Sequence, residues 1–195
     1  MAEAAGNGSA SALPGAVFEG YVRVAEAGRL GMIALKGDLA SEPVAAALAA
    51  AGLAVPGRRR LAGAGARAAA WFAPDEVLAM LPEAEVAETL AAMRAAAAGA
   101  HVTLADVTDA RAVFELSGDA VREVLAKLSP ADLHPDALPP GEVRRTRSAQ
   151  VPVAFWLPEE GRARLVCFRS VAGYVFDILS LSAAPGGEAG VLSPR

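Results

Sequence analysis

Met32-Ile33-Ala34-Leu35-Lys36-Gly37-Asp38 and Val113-Phe114-Glu115-Leu116-Ser117-Gly118-Asp119 are two versions of one phrase. Each is a short apolar run closed by Gly-Asp, and each opens a helix. The echo continues along the chain. Arg58-Arg59-Arg60 is answered by Arg144-Arg145, the aromatic pair Trp71-Phe72 by Phe155-Trp156, and the turn Pro74-Asp75-Glu76 by Pro158-Glu159-Glu160. The offsets are 81 residues from Gly37 to Gly118, 86 from Arg58 to Arg144 and 84 from Trp71 to Phe155, so the copies differ only by small insertions. Four features in the same order mark an internal repeat. The chain is therefore read as an α+β fold of tandem duplicated β-α-β-β-α units, each with an extra leading strand.

The elements follow from local chemistry. The segment from Phe18 to Val24 alternates, and Met32–Leu35 is a strand. Ser41 stands where a helix would be capped, with Glu42 and Pro43 in the first turn and Gly52 just past the end. Pro56 to Gly65 reads as a basic, Gly-rich loop. Ala68–Ala73 and Glu76–Leu81 form a hairpin about Pro74-Asp75. Pro82 to Ala98 is a helix with Glu83, Glu85 and Glu88 near its start and Gly99 at its end.

The second unit has strands at His101–Asp106 and Ala112–Leu116 and a helix from Asp119 to Leu128. Ser129-Pro130-Ala131-Asp132 has the composition of one further capped turn. A Pro-rich loop runs from Leu133 to Gly141. Val143–Trp156 and Arg164–Arg169 supply strands, and Ser170 caps a last helix containing Tyr174, Phe176 and Leu179. Residues 1–15 and 185–195 read as flexible tails. A single duplicated domain then spans 16–184, with halves of about 16–99 and 100–184.

The bulk numbers narrow the function. A 195-residue chain buries roughly 70% of its unfolded surface, so neither disulfide nor metal is needed for stability. Apolar residues make up 54% and aromatics only 5%, which predicts closely packed helices on sheets with few large anchors. A net charge of −4 argues against a nucleic-acid partner. The lone Cys167 fits a reducing compartment. The first 15 residues have neither the basic nor the apolar region of a signal peptide, and no window carries 18 uninterrupted apolar residues. The expectation is a cytoplasmic protein that does not enter the membrane.

No reactive constellation stands out. Gly63-Ala64-Gly65-Ala66-Arg67-Ala68 fits the dinucleotide fingerprint in letters only, because it leads into a strand rather than a helix. His101, His134 and Cys167 are the soft-metal ligands, and no two have ligand spacing. Cys167, in an apolar strand, reads as a buried hydrophobe. No serine or cysteine has a recognisable base nearby, so no catalytic residue is assigned.

Asp106 and Asp109 are the best carboxylate pair. They would either accept hydrogen bonds from a ligand's amino groups or close an Asx-type turn, and the turn is favoured. The arginines Arg58, Arg59, Arg60, Arg144, Arg145 and Arg147 read either as solvated loops or as a contact for a polyanion, such as a polyglutamyl tail or a partner's acidic face. His134 is read as a hydrogen-bonding turn residue that could also touch a partner.

One block is more specific. Asp106-Val107-Thr108-Asp109-Ala110-Arg111, Leu116-Ser117-Gly118-Asp119, Val124-Leu125-Ala126-Lys127, Asp132-Leu133-His134-Pro135, Leu138-Pro139-Pro140-Gly141 and Thr146-Arg147-Ser148-Ala149-Gln150-Val151-Pro152-Val153 follow in order. Together with Arg29 to Ala40, this resembles the gamma subunit of heterotetrameric sarcosine oxidase over about residues 20–182. The resemblance implies a fold similar to the tetrahydrofolate-binding domain of the glycine-cleavage aminomethyltransferase. It also implies an accessory, non-catalytic role in a complex that oxidatively demethylates sarcosine to glycine. The other products are hydrogen peroxide and formaldehyde or methylene-tetrahydrofolate.

The alpha, beta and delta subunits would be the partners, with FAD, FMN, NAD and tetrahydrofolate held on those other subunits. The alternative is a stand-alone folate-binding or aminomethyltransferase-like one-carbon protein using Asp106 or Asp109. Two positions depart from the family pattern: Gly173 stands near the start of the last helix, and the loop from Pro56 to Gly65 is short and Arg-heavy.

Overall fold

The computed structural model describes residues 10–192. Its strands are β1 (Val17–Glu19), β2 (Arg23–Glu26), β3 (Gly31–Lys36), β4 (Leu61–Ala64), β5 (Arg67–Ala73), β6 (Glu76–Leu81), β7 (Thr103–Asp106), β8 (Arg111–Ser117), β9 (Val143–Ser148), β10 (Val151–Glu159) and β11 (Arg162–Phe168). Its helices are α1 (Glu42–Ala50), α2 (Val86–Ala96), α3 (Val121–Ala126) and α4 (Ala172–Ser182).

Two antiparallel sheets form, ordered β1-β2-β8-β11-β10-β9 and β4-β5-β6-β3-β7. They face one another across Met32, Ala70, Phe72, Leu78 and Met80 on one side and Val113, Ala154, Trp156 and Val166 on the other. Helices α1 and α2 cover the outer face of the five-stranded sheet through Val44, Leu48, Val86, Leu90 and Met93. Helices α3 and α4 cover the six-stranded sheet through Val121, Val124, Val175 and Leu179. Central strands are therefore covered on both faces, which is why β6 is buried at every position and its sequence does not alternate.

The duplication is visible in the pairing. Each unit runs β-α-β-β-β-α, so β4 and the β9–β10 turn add one strand per unit to the expected pattern. The stretch Val143–Trp156 folds back at Ala149-Gln150, so that Val151 pairs with Ser148. Leading strands are exchanged between the copies: β7 pairs with β3 of the first unit, and β2 pairs with β8 of the second. Both hairpins carry a bulge just before the turn, between Trp71 and Ala73 and between Trp156 and Glu159. By register Ala73 opposite Glu76 corresponds to Glu159 opposite Arg162. The aromatic pairs that echo in sequence therefore sit two positions out of structural alignment.

Local chemistry explains the boundaries. Ser41 is the N-cap of α1, but its hydroxyl donates back to the Asp38 carbonyl at 2.6 Å rather than accepting from the helix. At the other end Gly52 adopts φ +69°, and the amides of Gly52 and Leu53 return to Ala49 and Leu48 at 2.9 Å each, a Schellman ending. The expected helix from Pro82 opens instead as a single 3-10 turn over Glu83–Glu85, and α2 begins at Val86.

Ser129–Asp132 is not helical. The Ser129 hydroxyl takes the Ala131 amide at 3.2 Å, and the chain then dives to bury Leu133 and Leu138. Gly20 is demanded by close approach, since a Cβ there would lie 2.0 Å from the Ala183 carbonyl oxygen. Of the expected tails, Ala12 and Leu13 pack on the core beside α4, as does Leu192. Residues 1–9 and 193–195 lie outside the described residues.

Candidate functional site

The strand-end acids face different tasks. Asp106 Oδ1 accepts the Thr108 amide at 2.9 Å, an Asx turn. The Thr108 hydroxyl in turn accepts the buried Met32 amide at 3.0 Å. Asp109 Oδ1 receives Arg29 Nη1 at 2.6 Å, and Arg29 Nε reaches Glu83 Oε1, also at 2.6 Å. The hydrogen bond that Arg29 donates to Asp109, then the one to Glu83, holds the guanidinium above its ordinary pKa. Asp106 thus shapes the β7–β8 corner and Asp109 ties it to Arg29, and a ligand's amino group would have to compete with these contacts.

The arginines divide into distinct groups. Arg59, in the left-handed region at φ +59°, ion-pairs with Glu142, which also pairs with Arg144; Arg144 then reaches the Ala137 carbonyl. Burial disfavours the charged form of Glu142, but the Arg144 and Arg59 hydrogen bonds outweigh it and hold the carboxyl below its usual range. Arg145 Nη1 meets Glu76 Oε2 at 3.0 Å, and Arg147 donates to the Gln150 carbonyl at 3.3 Å. Arg58 and Arg60 are exposed. The run 58–60 precedes β4, whereas Arg144, Arg145 and Arg147 lie inside β9. They are not at equivalent places.

His134 lies on an exposed turn. Its amide donates to Asp132 Oδ1 at 2.9 Å, its Nδ1 accepts the Asp136 amide at 3.3 Å, and its carbonyl takes the amides of Ala137 and Leu138 at 2.9 Å each. The turn is anchored from below by Arg122, 3% exposed, whose Nη1 donates to the carbonyls of both Leu133 and Leu138 at 2.9 Å. Burial pushes the Cys167 thiol up to about 12, so it is no nucleophile at neutral pH. Among the described residues no group of three or more His, Cys, Asp and Glu side chains could hold a metal ion. Gly63 and Ala64 end β4 and Gly65-Ala66 make the turn into β5, with no helix N-terminus to receive a phosphate.

A cleft of about 380 Å³ opens between hairpin tips, lined by Arg23, Ser117, Glu159, Arg162 and Arg164 among others. Each of those arginines is already paired with Glu19, Glu159 or Glu115 at 2.7–3.3 Å.

The opposite end of the sandwich gathers charge that no sequence motif marks. Glu76, 8% exposed, receives Arg145 and, at 3.7 Å, Lys36 Nζ. Arg145 lies over Phe72, 5.7 Å from the ring centroid, and Arg111 lies over Phe168 at 4.2 Å. Burial lowers the Arg111 pKa, partly countered by the field of Glu76 and reinforced by that of Arg145. Only the alternation of β8, β9 and β11 could have hinted that these side chains share the inner face.

Comparison with known proteins fixes the lineage. Residues 36–185 match the model described as "Sarcosine oxidase, gamma subunit family". Sarcosine oxidase subunit gamma of Arthrobacter sp is 36% identical over 160 residues, covering 80% of this chain and 73% of that relative. The subunit gamma of Corynebacterium sp. (strain P-1) is 42% identical over 86 residues, 44% of this chain and 41% of its own length.

Among solved structures, the heterotetrameric sarcosine oxidase from Corynebacterium sp. U-96, in complex with pyrrole 2-carboxylate, contains a chain that superposes with TM-score 0.78 at 26% identity. That match covers 89% of this chain and 87% of the other. The glycine cleavage system aminomethyltransferase T from Bartonella henselae shares the fold, with TM-score 0.54 at 17% identity over 77% of this chain and 43% of its own. By sequence and by architecture, the chain belongs to the sarcosine oxidase gamma subunit family.

Proposed function

We propose that this chain is the accessory gamma subunit of a cytoplasmic heterotetrameric sarcosine oxidase. That complex oxidatively demethylates sarcosine to glycine and yields hydrogen peroxide with formaldehyde or methylene-tetrahydrofolate. The alpha, beta and delta subunits carry FAD, FMN, NAD and tetrahydrofolate, and this chain supplies structure rather than a reacting group. The observation that carries the reading is the superposition on a chain of a heterotetrameric sarcosine oxidase over 89% of the present length. Its side chains agree with that role, since Cys167 is buried and protonated and His134 serves a turn.

A stand-alone folate-binding protein is the rival. It would require Asp106 to leave the Thr108 turn or Asp109 to leave the Arg29 pair. Co-expression with candidate alpha, beta and delta chains, with the tag on this chain, tests the proposal. The expected result is a four-chain complex that oxidises sarcosine. A monomer that ignores all three chains would overturn it.

A further inference from the structure

The corner at Glu76 is unbalanced. Three cations, Lys36, Arg111 and Arg145, share one carboxylate, and the two that touch it use the same oxygen, Glu76 Oε2. Arg111 makes no hydrogen bond to another described residue, and its Nε is buried without an acceptor. A guanidinium Nε that has lost water and gained no acceptor carries an unrecovered desolvation cost. The Phe168 ring lies over the guanidinium at 4.2 Å, and the Nη groups, unlike the buried Nε, are the donors left for an acceptor from outside. Phe168 is itself 45% exposed, so its ring is open to an apolar neighbour. The flanks are open too, with the Lys36 and Arg145 side chains 56% and 49% exposed.

We propose that this corner, floored by Arg111 and rimmed by Phe168, Arg145 and Lys36, docks an acidic side chain with apolar neighbours from another subunit of the complex. A carboxylate would take the Nη donors of Arg111 and offset the excess positive charge, while its apolar neighbours cover Phe168. Charge-assisted bonds of this kind are the strong ones, and arginine beside an aromatic ring is the composition of interface hot spots. The open rim fits a protein surface better than a small molecule, which would need enclosing walls. The inference rests on the subunit reading above.

The test measures the affinity of the full-length chain for the co-purified remaining subunits, at low and at physiological salt, for wild type, Arg111→Gln and Lys36→Gln. The expected result is a loss of tenfold or more for R111Q and a few-fold loss for K36Q, with shallower salt dependence in both. Because Lys36 is exposed, K36Q reports even where R111Q fails to fold. Wild-type affinity in K36Q, together with wild-type affinity in any R111Q that folds, overturns the docking site and leaves the subunit reading intact. Failure of the wild-type chain to associate overturns both. Succinate is the control for a small acid: if it stabilises the free chain in an Arg111-dependent way while R111Q still assembles normally, the corner belongs to a small dicarboxylate and the docking proposal is wrong.

Discussion

Replacing Arg122 by leucine isolates what holds the loop at 133–138. The guanidinium is nearly inaccessible, donates to the carbonyls of Leu133 and Leu138 at 2.9 Å each, and meets Glu160 through two nitrogens at 3.1 and 2.5 Å. Removal orphans two carbonyls beside the core, at about 1–3 kcal/mol each. The Glu160 pair adds only about 0–1 kcal/mol, because that carboxylate is 59% exposed and well screened. Burying leucine returns about 1.5–3 kcal/mol. The expected net loss is about 2–3 kcal/mol, or about 5–10 °C in Tm for a chain of this size. Urea denaturation followed by Trp71 and Trp156 fluorescence measures it, with Glu160→Gln as a control that loses less than about 1 kcal/mol. Limited proteolysis within 129–141 should quicken in the leucine variant. A leucine variant within about 0.5 kcal/mol of wild type would show that the loop holds its place without the guanidinium, refuting the reasoning.

Glu123, 3% exposed, gives an acid-limb prediction. Burial opposes its charge, but the Ala189 amide, Lys127 and Tyr21 outweigh burial and hold the carboxyl below its ordinary value of 4.5. A carboxyl depressed by folding contributes stability above its unfolded pKa and loses it as pH falls through the folded one. Stability should therefore hold above about pH 5 and decline below it. Glu123→Gln should flatten that decline in urea midpoints taken across acid pH, and an unchanged acid limb counts against the assignment.

With its pKa near 12, Cys167 holds roughly one thiolate in ten thousand molecules at pH 8. A disulfide reagent should thus label it only on unfolding; labelling at the rate of a free thiol in the native protein contradicts the burial. Calorimetric titration of the free chain with tetrahydrofolate should give background heat. Micromolar binding that disappears in Asp109→Ala would instead support the folate-binding rival.

The architecture was legible where the signal is local. The two Gly-Asp phrases, the Gly52 ending of α1 and the apolar runs of β3 and β8 all stand where their chemistry predicts. What escaped is non-local or weak. β4 is Leu-Ala-Gly-Ala, with poor strand propensity, and forms because β5 and the Arg60–Glu142 bridge pin it on both sides. The aromatic echo misleads because a bulge in each hairpin moves the register. Asp109 looks like half of a carboxylate pair from its neighbours, while its ion-pair partner Arg29 lies 80 residues away. The Arg111 corner draws on β3, β5, β6, β8, β9 and β11 at once, and no window of sequence contains it.

The exchanged leading strands tie the two copies of the repeat to each other. A copy cut at Gly99 would leave β2 without β8 and β3 without β7, exposing unpaired edges on both sheets. The symmetric parts, sheets and covering helices, therefore serve folding in common. Two features described above do not repeat. One is the loop at 133–138, tied down by Arg122. The other is the Arg111 corner, where β8 and β11 of the second unit bring guanidinium and ring against Glu76 and Lys36 of the first. Both draw on the second unit, the loop wholly and the corner jointly with Lys36, Phe72 and Glu76 of the first. The corner thus joins the two copies across the sheets, as the exchanged strands join them within each sheet.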